Sequence, residues 1–288
     1  MEPLYTQQRT ISSSDVVKKL ERFYKEDKTQ QDLSTICATR KNDPQTRAQL
    51  IAEEDLVVAG LPLFDMHFPK NKPSQHKKEG SFCKPGEVLY ELKAPASTLL
   101  SHERILLNLI QRMSGIASLT NQYVKKLDSS TIKILDTRKT TPGLRVFEKY
   151  AVYIGGGYNH RFDLNDGVMI KDNHLAIIKN LGSNLSYLKQ NHPDKKIQIE
   201  VDNFDQLNTI LNSIKIKIDA ILLDNMNAKQ TKKCAALIRQ LLPKCFIESS
   251  GGINLQNILN YKSLDIDGIS IGALTHQANS KNIKLEFK

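Results

Sequence analysis

The sequence contains no apolar run that approaches the length of a membrane-spanning segment, and residues 1–19 lack the apolar stretch of a secretory signal peptide. We therefore expect a cytoplasmic protein that does not bind membranes. Cysteine is also scarce. The four cysteines (Cys37, Cys83, Cys234 and Cys245) include no Cys-x-x-Cys pair and no nearby histidine in zinc-ligand spacing, so we expect reduced thiols with a structural role.

Acidic residues are fewer than basic residues: the sequence contains 31 Asp and Glu residues and 41 Lys and Arg residues, which give a net charge of +10. Such an excess serves solubility, nucleic-acid binding or the binding of an anionic small substrate. The densest basic segment, PKNKPSQHKK at residues 69–78, contains two prolines and no aromatic residue, which predicts an exposed loop. Because no aromatic side chain is available to stack on bases, we expect no nucleic-acid binding there and assign the segment no role.

The first part of the chain combines predicted helices and strands. Apolar residues recur at helical spacing in residues 15–26 and in a long stretch of residues 97–127, where Gly115 is interpreted as a close packing contact. Between these helices, an extended region is predicted from Asp32 onward. Strands are predicted over residues 46–52 and 86–93.

From residue 132 onward, short apolar runs alternate with helix-like sequence. The runs are residues 132–136, 167–171, 197–200, 220–224, 245–248 and 268–272. Runs that are apolar on both faces are typical of a parallel sheet with both faces buried, and their spacing fits βα units. Six units without a return hairpin favour an α/β barrel, and an open doubly wound sheet is the alternative.

Cations follow several of these runs. In an α/β barrel, catalytic groups come from the carboxyl ends of the strands, where Arg138, Lys139, Arg161 and Lys171 would converge, with His160 beside Arg161. Like charges cannot be buried together without a partner, so these cations face either water or an anion. Because Arg pairs well with carboxylate or phosphate, we expect an anion with several negative charges. The alternative is an ion-pair network with carboxylates of the same edge.

Two carboxylates, Glu200 and Asp224, end neighbouring predicted strands. Ionised carboxylates can accept hydrogen bonds from sugar hydroxyls, hold a magnesium ion through water and stabilise positive charge on a ribose carbon. The alternative is a pair of salt bridges to Lys139 and Lys171, and both interpretations can hold together.

Glycine-containing loops follow the last two predicted strands. Ser250, Gly251 and Gly252 precede a predicted helix at residues 254–261, and Gly272 and Ala273 follow the final strand. Backbone amides in such loops bind phosphate, and late-strand loops are a recurrent phosphate site in barrels. A third glycine run, residues 155–157, is interpreted as a mobile or tightly bent loop that delivers His160 and Arg161.

Longer motifs occur in a fixed order along nearly the whole chain. They are Glu103–Asn108 (ERILLN), Met113–Ala117 (MSGIA), Asp136–Arg145 (DTRKTTPGLR), Glu148–Val152 (EKYAV), Gly155–Arg161 (GGGYNHR), Ile170–His174 (IKDNH), Glu200–Val201, Leu223–Asn225 and Ser250–Ile253. Together they resemble the quinolinate phosphoribosyltransferase family, also called nicotinate-nucleotide pyrophosphorylase (carboxylating). Two departures are visible. Gln31 stands where the family usually has Gly before Asp-Leu/Ile-Thr, and the basic segment 69–78 is longer than usual.

The resemblance implies a type II phosphoribosyltransferase fold, with an N-terminal open α/β sandwich and a C-terminal incomplete α/β barrel. The implied domains are residues 1–113, to which residues 275–288 return, and residues 114–274. It also implies a homodimer in which Arg104 reaches the active site of the partner subunit, with a higher oligomer left open.

The implied reaction joins quinolinate to phosphoribosyl pyrophosphate with Mg²⁺ and yields nicotinate mononucleotide, pyrophosphate and CO₂ in NAD biosynthesis. The implied catalytic residues are Lys139, Lys171, Glu200 and Asp224, with the two carboxylates also holding Mg²⁺ through water. The implied ligands of the quinolinate carboxylates are Arg104, Arg138, His160 and Arg161, with Thr137 also at the substrate. The implied ligands of the ribose phosphate are Ser250, Gly251, Gly252, Ile271, Gly272 and Ala273.

Two rival interpretations remain open from the sequence. One is the molybdenum-transport-associated relative of the same fold, in which we expect a changed acid-binding set. The other is a basic RNA-binding protein, which the net charge suggests but which lacks interleaved aromatic residues and a known binding motif.

Overall fold

The computed structural model describes residues 3–11, 14–68, 74–213 and 216–288. Residues 69–73 of the basic segment lie outside the described residues, so the loop predicted over 69–78 is described only from Ser74. Contacts divide the chain into two compact units. The parallel unit comprises residues 1–7, 122–139 and 157–273, and the antiparallel unit comprises residues 8–121, 140–156 and 274–288.

Helices and strands are numbered in chain order. The described α-helices are α1 (Ser14–Glu26), α2 (Leu33–Thr39), α3 (Pro62–His67), α4 (Ala96–Leu127), α5 (Arg145–Ile154), α6 (Asp172–Ile177), α7 (Leu181–Asn191), α8 (Phe204–Ser213), α9 (Ala228–Leu241) and α10 (Ala273–His276). The described strands are β1 (Gln45–Ala52), β2 (Leu56–Val57), β3 (Ser74–Gln75), β4 (Phe82–Cys83), β5 (Val88–Pro95), β6 (Lys133–Leu135), β7 (Val168–Ile170), β8 (Ile197–Val201), β9 (Ala220–Asp224), β10 (Phe246–Ser250), β11 (Gly268–Ser270) and β12 (Ile283–Phe287).

A four-stranded antiparallel sheet in the order β12-β1-β5-β3 forms the centre of the antiparallel unit. Leu50 in the middle of β1 lies opposite Tyr90 of β5 on one side and Leu285 of β12 on the other. The predicted strands at 46–52 and 86–93 are thus confirmed, and the last strand of the chain returns to this sheet. A separate pair of short strands, β2 and β4, is also antiparallel.

The predicted helices at 15–26 and 97–127 are confirmed as α1 and α4. A side chain at Gly115 would overlap the backbone of Asn279, which confirms the predicted close packing. The extended region predicted from Asp32 is wrong, because α2 begins there. The Asp32 carboxylate accepts hydrogen bonds from the backbone N–H groups of Ser34 and Thr35 and caps this helix. No helix among the described residues is both long and apolar enough to cross a membrane.

The parallel unit contains six parallel strands in the order β6-β11-β10-β9-β8-β7. All six predicted apolar runs are strands, and β7 to β11 lie side by side in chain order. The last of them, β11, pairs with β6, the first strand of the unit. A pairing between the first and last strands is typical of a barrel rather than of a doubly wound sheet. A bridge between Leu135 and Tyr158 adds a further parallel contact on the other side of β6.

The two contact-based units differ from the predicted domains in several places. Residues 1–7 belong to the parallel unit, whereas residues 114–121 and residues 140–156, including α5, belong to the antiparallel unit. Glu148 of α5 accepts hydrogen bonds from Arg112, and Tyr150 interacts with Glu79, which explains this grouping. The domain division at residues 113 and 274 stays a prediction.

Candidate active site

The carboxyl ends of four neighbouring strands are in register. Leu135 lies beside Ser270, Ser270 beside Ser250, and Ser250 beside Asp224. The residues that follow these strands therefore emerge along one edge of the parallel sheet, where the sequence predicts the catalytic groups. The same parallel pairing continues through β8 to β7, which carry Glu200 and precede Lys171.

Residues 157–161 run along β6 and bring Arg161 to this edge. The backbone N–H of Tyr158 donates to the carbonyl of Ile134 (2.8 Å), and the N–H of Asp136 donates to the carbonyl of Tyr158 (3.0 Å). The carboxylate of the fully buried Asp136 then accepts from the His160 N–H (2.8 Å) and from the Asn159 amide (2.7 Å). Asp136 thus fixes the backbone that precedes Arg161.

Of the predicted glycine loop, Gly155 and Gly156 form the bend. The backbone of Gly155 closes on the backbone of Ala117 so tightly that no Cβ would fit, and Gly156 has a positive φ of 92°. The prediction of a tightly bent loop is therefore confirmed within the antiparallel unit, and the chain enters the parallel unit at Gly157.

Arg161 is a buried cation of this edge, with 6% of its surface exposed. Its guanidinium donates to the carbonyl of Gly167 (3.0 Å). Burial lowers its pKa, and the positive charge of Arg138 lowers it further, whereas Tyr5, Asp166 and Glu200 oppose the shift. These charge effects indicate that Arg138 and Glu200 lie near Arg161. Two neighbouring guanidiniums at such a place are well suited to bind an anion.

Lys171 and Glu200 form a direct ion pair. The Lys171 ammonium lies 2.6 Å from Oε2 of Glu200, with the lysine side chain 41% exposed and the glutamate side chain 11% exposed. The predicted salt bridge is thus present. On the next strand, Asp224 accepts a hydrogen bond from the Asn225 amide (2.7 Å). Both carboxylates keep an oxygen that can accept further hydrogen bonds, because each carboxylate has about four acceptor positions.

The loop after β10 is shaped by two glycines with positive φ, 83° at Gly251 and 64° at Gly252. A side chain on Gly251 would overlap the Asn225 amide, whereas a side chain on Gly252 would meet no atom within 4 Å. Asn225 itself has a φ of 52°, and its N–H donates to the carbonyl of Ser250 (2.9 Å). The loops after β9 and β10 are therefore packed against each other, with open space above Gly252.

The helix predicted at residues 254–261 is wrong over its first part. Only Ile258–Tyr261 is helical, as a short 3₁₀ turn. The side chain of Asn254 accepts from the N–H groups of Gln256 and Asn257, and the side chain of Asn257 accepts from the Asn254 N–H. These local bonds replace the hydrogen bonds of an α-helix, so no helix amino terminus lies directly behind the glycine loop.

The remaining predicted residues occupy the following places. Thr137 follows β6, where its hydroxyl accepts from the N–H of the exposed Lys139 (3.0 Å). Ile271 is buried and donates its N–H to the carbonyl of Leu135 (2.9 Å), which holds Gly272 and Ala273 at the same edge. Arg104 lies on the exposed side of α4 and belongs to the antiparallel unit.

His160 is only 5% exposed, and both of its ring nitrogens face protein atoms. Nδ1 accepts from the backbone N–H of Arg161 (2.7 Å), and Nε2 lies 3.4 Å from Oε2 of Glu248. Burial opposes the ionisation of Glu248, but His160, Ser270 and Gln198 outweigh burial and lower the pKa of this carboxyl. A direct contact between His160 and a substrate acid stays a prediction.

Several residues of this region were not identified from the sequence as site residues. They are Tyr5, Gln7, Asp136, Asn159, Gln198 and Glu248. Gln198 and Glu248 interrupt the apolar runs of β8 and β10, a signal that the sequence contains. Tyr5 and Gln7 lie in an irregular segment whose partners are more than 150 residues away, so no local pattern indicates them.

The carboxylates that the sequence predicts to hold Mg²⁺ at this edge are Glu200 and Asp224. Among the residues that the structure describes, no group of three or more His, Cys, Asp or Glu side chains could hold a metal ion. Glu200 and Asp224 are two carboxylates on neighbouring strands, and one already accepts from Lys171. This donor set fits a hydrated Mg²⁺ that keeps several waters and takes its other ligands from substrate phosphates.

Two family profiles cover most of the chain. Residues 32–114 match "Quinolinate phosphoribosyl transferase, N-terminal domain", and residues 116–286 match "Quinolinate phosphoribosyl transferase, C-terminal domain". The "Probable nicotinate-nucleotide pyrophosphorylase [carboxylating]" of Bacillus subtilis is 40% identical over 277 residues, which are 93% of this chain and 92% of that protein.

Solved structures agree with the family profiles. The nicotinate-nucleotide pyrophosphorylase of Ehrlichia chaffeensis superposes with a TM-score of 0.85 at 36% identity, covering 97% of this chain and 100% of that one. The nicotinate-nucleotide pyrophosphorylase of Francisella tularensis superposes with a TM-score of 0.86 at 29% identity, covering 99% of this chain and 100% of that one. The α/β fold with a parallel barrel sheet and a separate antiparallel sheet is therefore shared with these proteins.

Proposed function

The chain belongs to the quinolinate phosphoribosyltransferase family, and we propose that it joins quinolinate to phosphoribosyl pyrophosphate in NAD biosynthesis. The products are nicotinate mononucleotide, pyrophosphate and CO₂. The observation that carries the proposal is the gathering of Arg138, Arg161 and the Lys171–Glu200 pair at one edge of the parallel sheet. Cations and carboxylates at one edge match a substrate pair that carries both acid groups and sugar hydroxyls.

In the proposed complex, Arg138 and Arg161 bind the two carboxylates of quinolinate. A guanidinium makes two parallel hydrogen bonds to a carboxylate, so two neighbouring guanidiniums select a diacid over a monoacid. Thr137 lies on the same segment as Arg138, and Lys139 and Lys171 add positive charge for the acid and for pyrophosphate. His160 supports Arg161 through the hydrogen bond of its ring to the Arg161 N–H.

The phosphoribosyl group is proposed to lie against the glycine loops. The ribose phosphate receives backbone N–H groups from the loops after β10 and β11, and open space above Gly252 supports this placement. Glu200 and Asp224 accept hydrogen bonds from the ribose hydroxyls. The proposed phosphate ligands are Ser250, Gly251, Gly252, Ile271, Gly272 and Ala273.

The reaction breaks the bond between the ribose C1 and the pyrophosphate oxygen, and positive charge develops on that carbon. Glu200 and Asp224 stabilise this charge, while Lys139 and Lys171 stabilise the departing pyrophosphate. Mg²⁺, when held through water by Glu200 and Asp224, would neutralise charge on the pyrophosphate. The pyridine nitrogen bonds to C1, the positively charged ring loses its adjacent carboxylate as CO₂, and the ring carbanion takes up a proton.

The proposed reaction is tested with quinolinate labelled in the carboxylate next to the ring nitrogen. We expect release of labelled CO₂ that requires both phosphoribosyl pyrophosphate and Mg²⁺, with nicotinate giving far less nucleotide product. Absence of CO₂ release, or equal use of nicotinate and quinolinate, would contradict the proposal. The same assay run on lysate fractions tests the proposed cytoplasmic location, which free cysteines support.

We also propose a homodimer in which Arg104 completes the site of the partner subunit. Its exposed position on α4, beside a groove lined by Phe23, Asn108 and Leu144, supports this role. Mixing inactive Arg104→Ala and Lys171→Ala subunits tests it. If the two residues act in one site from different subunits, mixed dimers regain one intact site, and activity rises to about a quarter of the wild-type value. No recovery in verified mixed dimers would exclude sharing of the site.

A further inference from the structure

The parallel sheet is open between the 157–161 segment on β6 and the outer strand β7. Residues 4–7, which we name the seam segment, contact both sides of this opening. On one side, Gln7 bonds to Asn159. On the other side, the Tyr5 ring lies so close to the Gly167 backbone that a Cβ on this glycine would overlap it, and the Thr6 hydroxyl is 3.4 Å from Asp166.

Gln7 bonds to the 157–161 segment as a neighbouring strand would. Its amide nitrogen donates to the carbonyl of Asn159 (3.0 Å), and its amide oxygen accepts from the Asn159 N–H (2.7 Å). Asn159 is only 2% exposed, so these backbone groups have little access to water. An unsatisfied buried backbone group is costly, and Gln7 therefore holds this part of the chain in one conformation.

Tyr5 begins a chain of buried polar contacts that ends at His160. Its hydroxyl donates to Gln198 (2.8 Å), and the Gln198 amide donates to Glu248 (2.7 Å). Glu248 lies 3.4 Å from Nε2 of His160, and the Tyr5 and His160 rings are 4.7 Å apart. The seam segment thus contacts His160 by ring packing and through two intervening side chains.

The seam segment also restricts Arg161 through the His160 ring. Nδ1 of the ring accepts from the Arg161 N–H, and Nε2 of the same ring faces Glu248. The Arg161 side chain in turn bonds to the carbonyl of Gly167, the glycine against which Tyr5 packs. Arg161 is therefore held at its backbone and at its guanidinium by groups that the seam segment contacts.

We propose that the seam segment is a positioning element for acid binding, in which Gln7 and Tyr5 hold His160 and Arg161 so that Arg161 faces a quinolinate carboxylate. This inference rests on the proposed function. It gives His160 a supporting role through the bond of its ring to the Arg161 N–H. Its consequence is specific. Disturbing the seam segment impairs quinolinate binding more than the binding of phosphoribosyl pyrophosphate, because the proposed ribose and phosphate ligands lie on or directly after β8 to β11.

The test compares Gln7→Met with the matched control Thr6→Val in the full-length enzyme. Gln7→Met keeps the side-chain length and removes both bonds to Asn159, whereas Thr6→Val removes one long bond at an exposed position. We expect Gln7→Met to raise the KM for quinolinate about fivefold or more, as the loss of buried hydrogen bonds predicts, with the KM for phosphoribosyl pyrophosphate changed less than about twofold. Thr6→Val should leave both constants unchanged.

Other outcomes overturn the inference in distinguishable ways. If the wild-type enzyme is active but Gln7→Met leaves the KM for quinolinate unchanged, or changes both KM values equally, the positioning role is excluded and the proposed function is not affected. If the wild-type enzyme is inactive, both the proposed function and this inference are excluded. If Gln7→Met does not fold, Tyr5→Phe decides by the same two constants, because it keeps the ring and removes only the bond to Gln198.

Discussion

The four-stranded antiparallel sheet and the six-stranded parallel sheet bury very different side chains. In the antiparallel sheet, the buried residues of β1 and β5 are apolar or aromatic, and charged residues such as Glu91 and Lys93 are less buried. In the parallel sheet, β8 buries Gln198 and Glu200 between apolar neighbours, and β10 buries Glu248. Burying polar groups costs free energy unless they are paired. Among the strand side chains whose burial the structure describes, such groups lie in the parallel sheet and not in the antiparallel sheet, which distinguishes the region that builds a site from the region that supplies stability.

Two carboxyl groups show the same contrast. In the parallel unit, His160, Ser270 and Gln198 outweigh burial and lower the pKa of Glu248. In the antiparallel unit, burial raises the pKa of Glu79 to about 7, although Gly60, Leu61 and Tyr150 hydrogen-bond to it. The pKa values of these two buried carboxyl groups are therefore shifted in opposite directions. If the contrast is general, charge serves stability in the antiparallel unit and substrate binding in the parallel unit.

The largest expected effect is on stability, from Arg112→Ala in the antiparallel unit. Arg112 bonds to Glu148, which has no exposed surface, and to the carbonyls of Thr275 and Ala278. Removing it leaves a buried charge without its cation and should lower the free energy of unfolding by about 3 to 5 kcal/mol, as measured by urea denaturation. Lys262→Ala, which breaks an exposed pair with Asp128, is the control and should cost at most about 1 kcal/mol.

The next effect is on binding, from Arg138→Ala in the parallel unit. Loss of a bidentate carboxylate contact should raise the KM for quinolinate about 100-fold, with the free energy of unfolding nearly unchanged. Steady-state kinetics and urea denaturation of the same preparation measure both. Arg138→Lys keeps the charge but not the fork and should give an intermediate KM. A variant that is destabilised but binds quinolinate normally would reverse the roles assigned to the two units.

A smaller effect is expected in the pH dependence of stability, from Glu79→Gln. The pKa of Glu79 is raised from 4.5 to about 7 on folding, so its contribution to stability is present below pH 4.5 and is lost as the pH rises through about 7. The melting temperature of Glu79→Gln relative to wild type should therefore rise between about pH 5 and about pH 8.

The control for this pH dependence is Glu87→Gln. The hydrogen bond from Lys77 lowers the pKa of Glu87, so its contribution is present at neutral pH and is lost only in acid. Its melting curve should run parallel to that of wild type over the same range. Parallel curves for Glu79→Gln as well would show that Glu79 is ionised throughout and would remove the contrast with Glu248.

The smallest effect concerns the cysteines. Cys37 is exposed, whereas Cys83, Cys234 and Cys245 are buried, and burial raises the pKa of Cys245 to about 12. A thiol reagent should modify one cysteine quickly in the native protein and the others only after denaturation. Cys37→Ser should remove the fast phase without a measurable change in stability or kinetics. Fast modification of a second thiol would show that a buried region opens readily.

Much of the fold follows from local sequence. The six runs that are largely apolar predict the strands of the parallel sheet, and apolar spacing predicts α1 and α4. Two errors have local causes, because Asp32 caps α2 and the Asn254 and Asn257 side chains replace helix hydrogen bonds. Side-chain capping of this kind depends on geometry that a short sequence pattern does not determine.

The candidate site, like the fold, is predicted only in part from the sequence. The positions of Lys171, Glu200 and Asp224 follow from the rule that parallel strands end at one edge. The seam segment could not be predicted, because Tyr5 and Gln7 act on residues more than 150 positions away through an irregular segment. Likewise, the orientation of His160 depends on Glu248 and on the Arg161 backbone, and neither neighbour is evident from the residue type alone.

The central claim is that paired cations at the edge of the parallel sheet recognise a diacid. Isothermal titration calorimetry with quinolinate and nicotinate tests this claim most directly. We predict that the wild-type protein binds quinolinate about 100-fold more tightly than nicotinate, and that Arg161→Ala abolishes this difference. Equal affinities of the wild-type protein for the two acids, or an undiminished preference in Arg161→Ala, would contradict the claim.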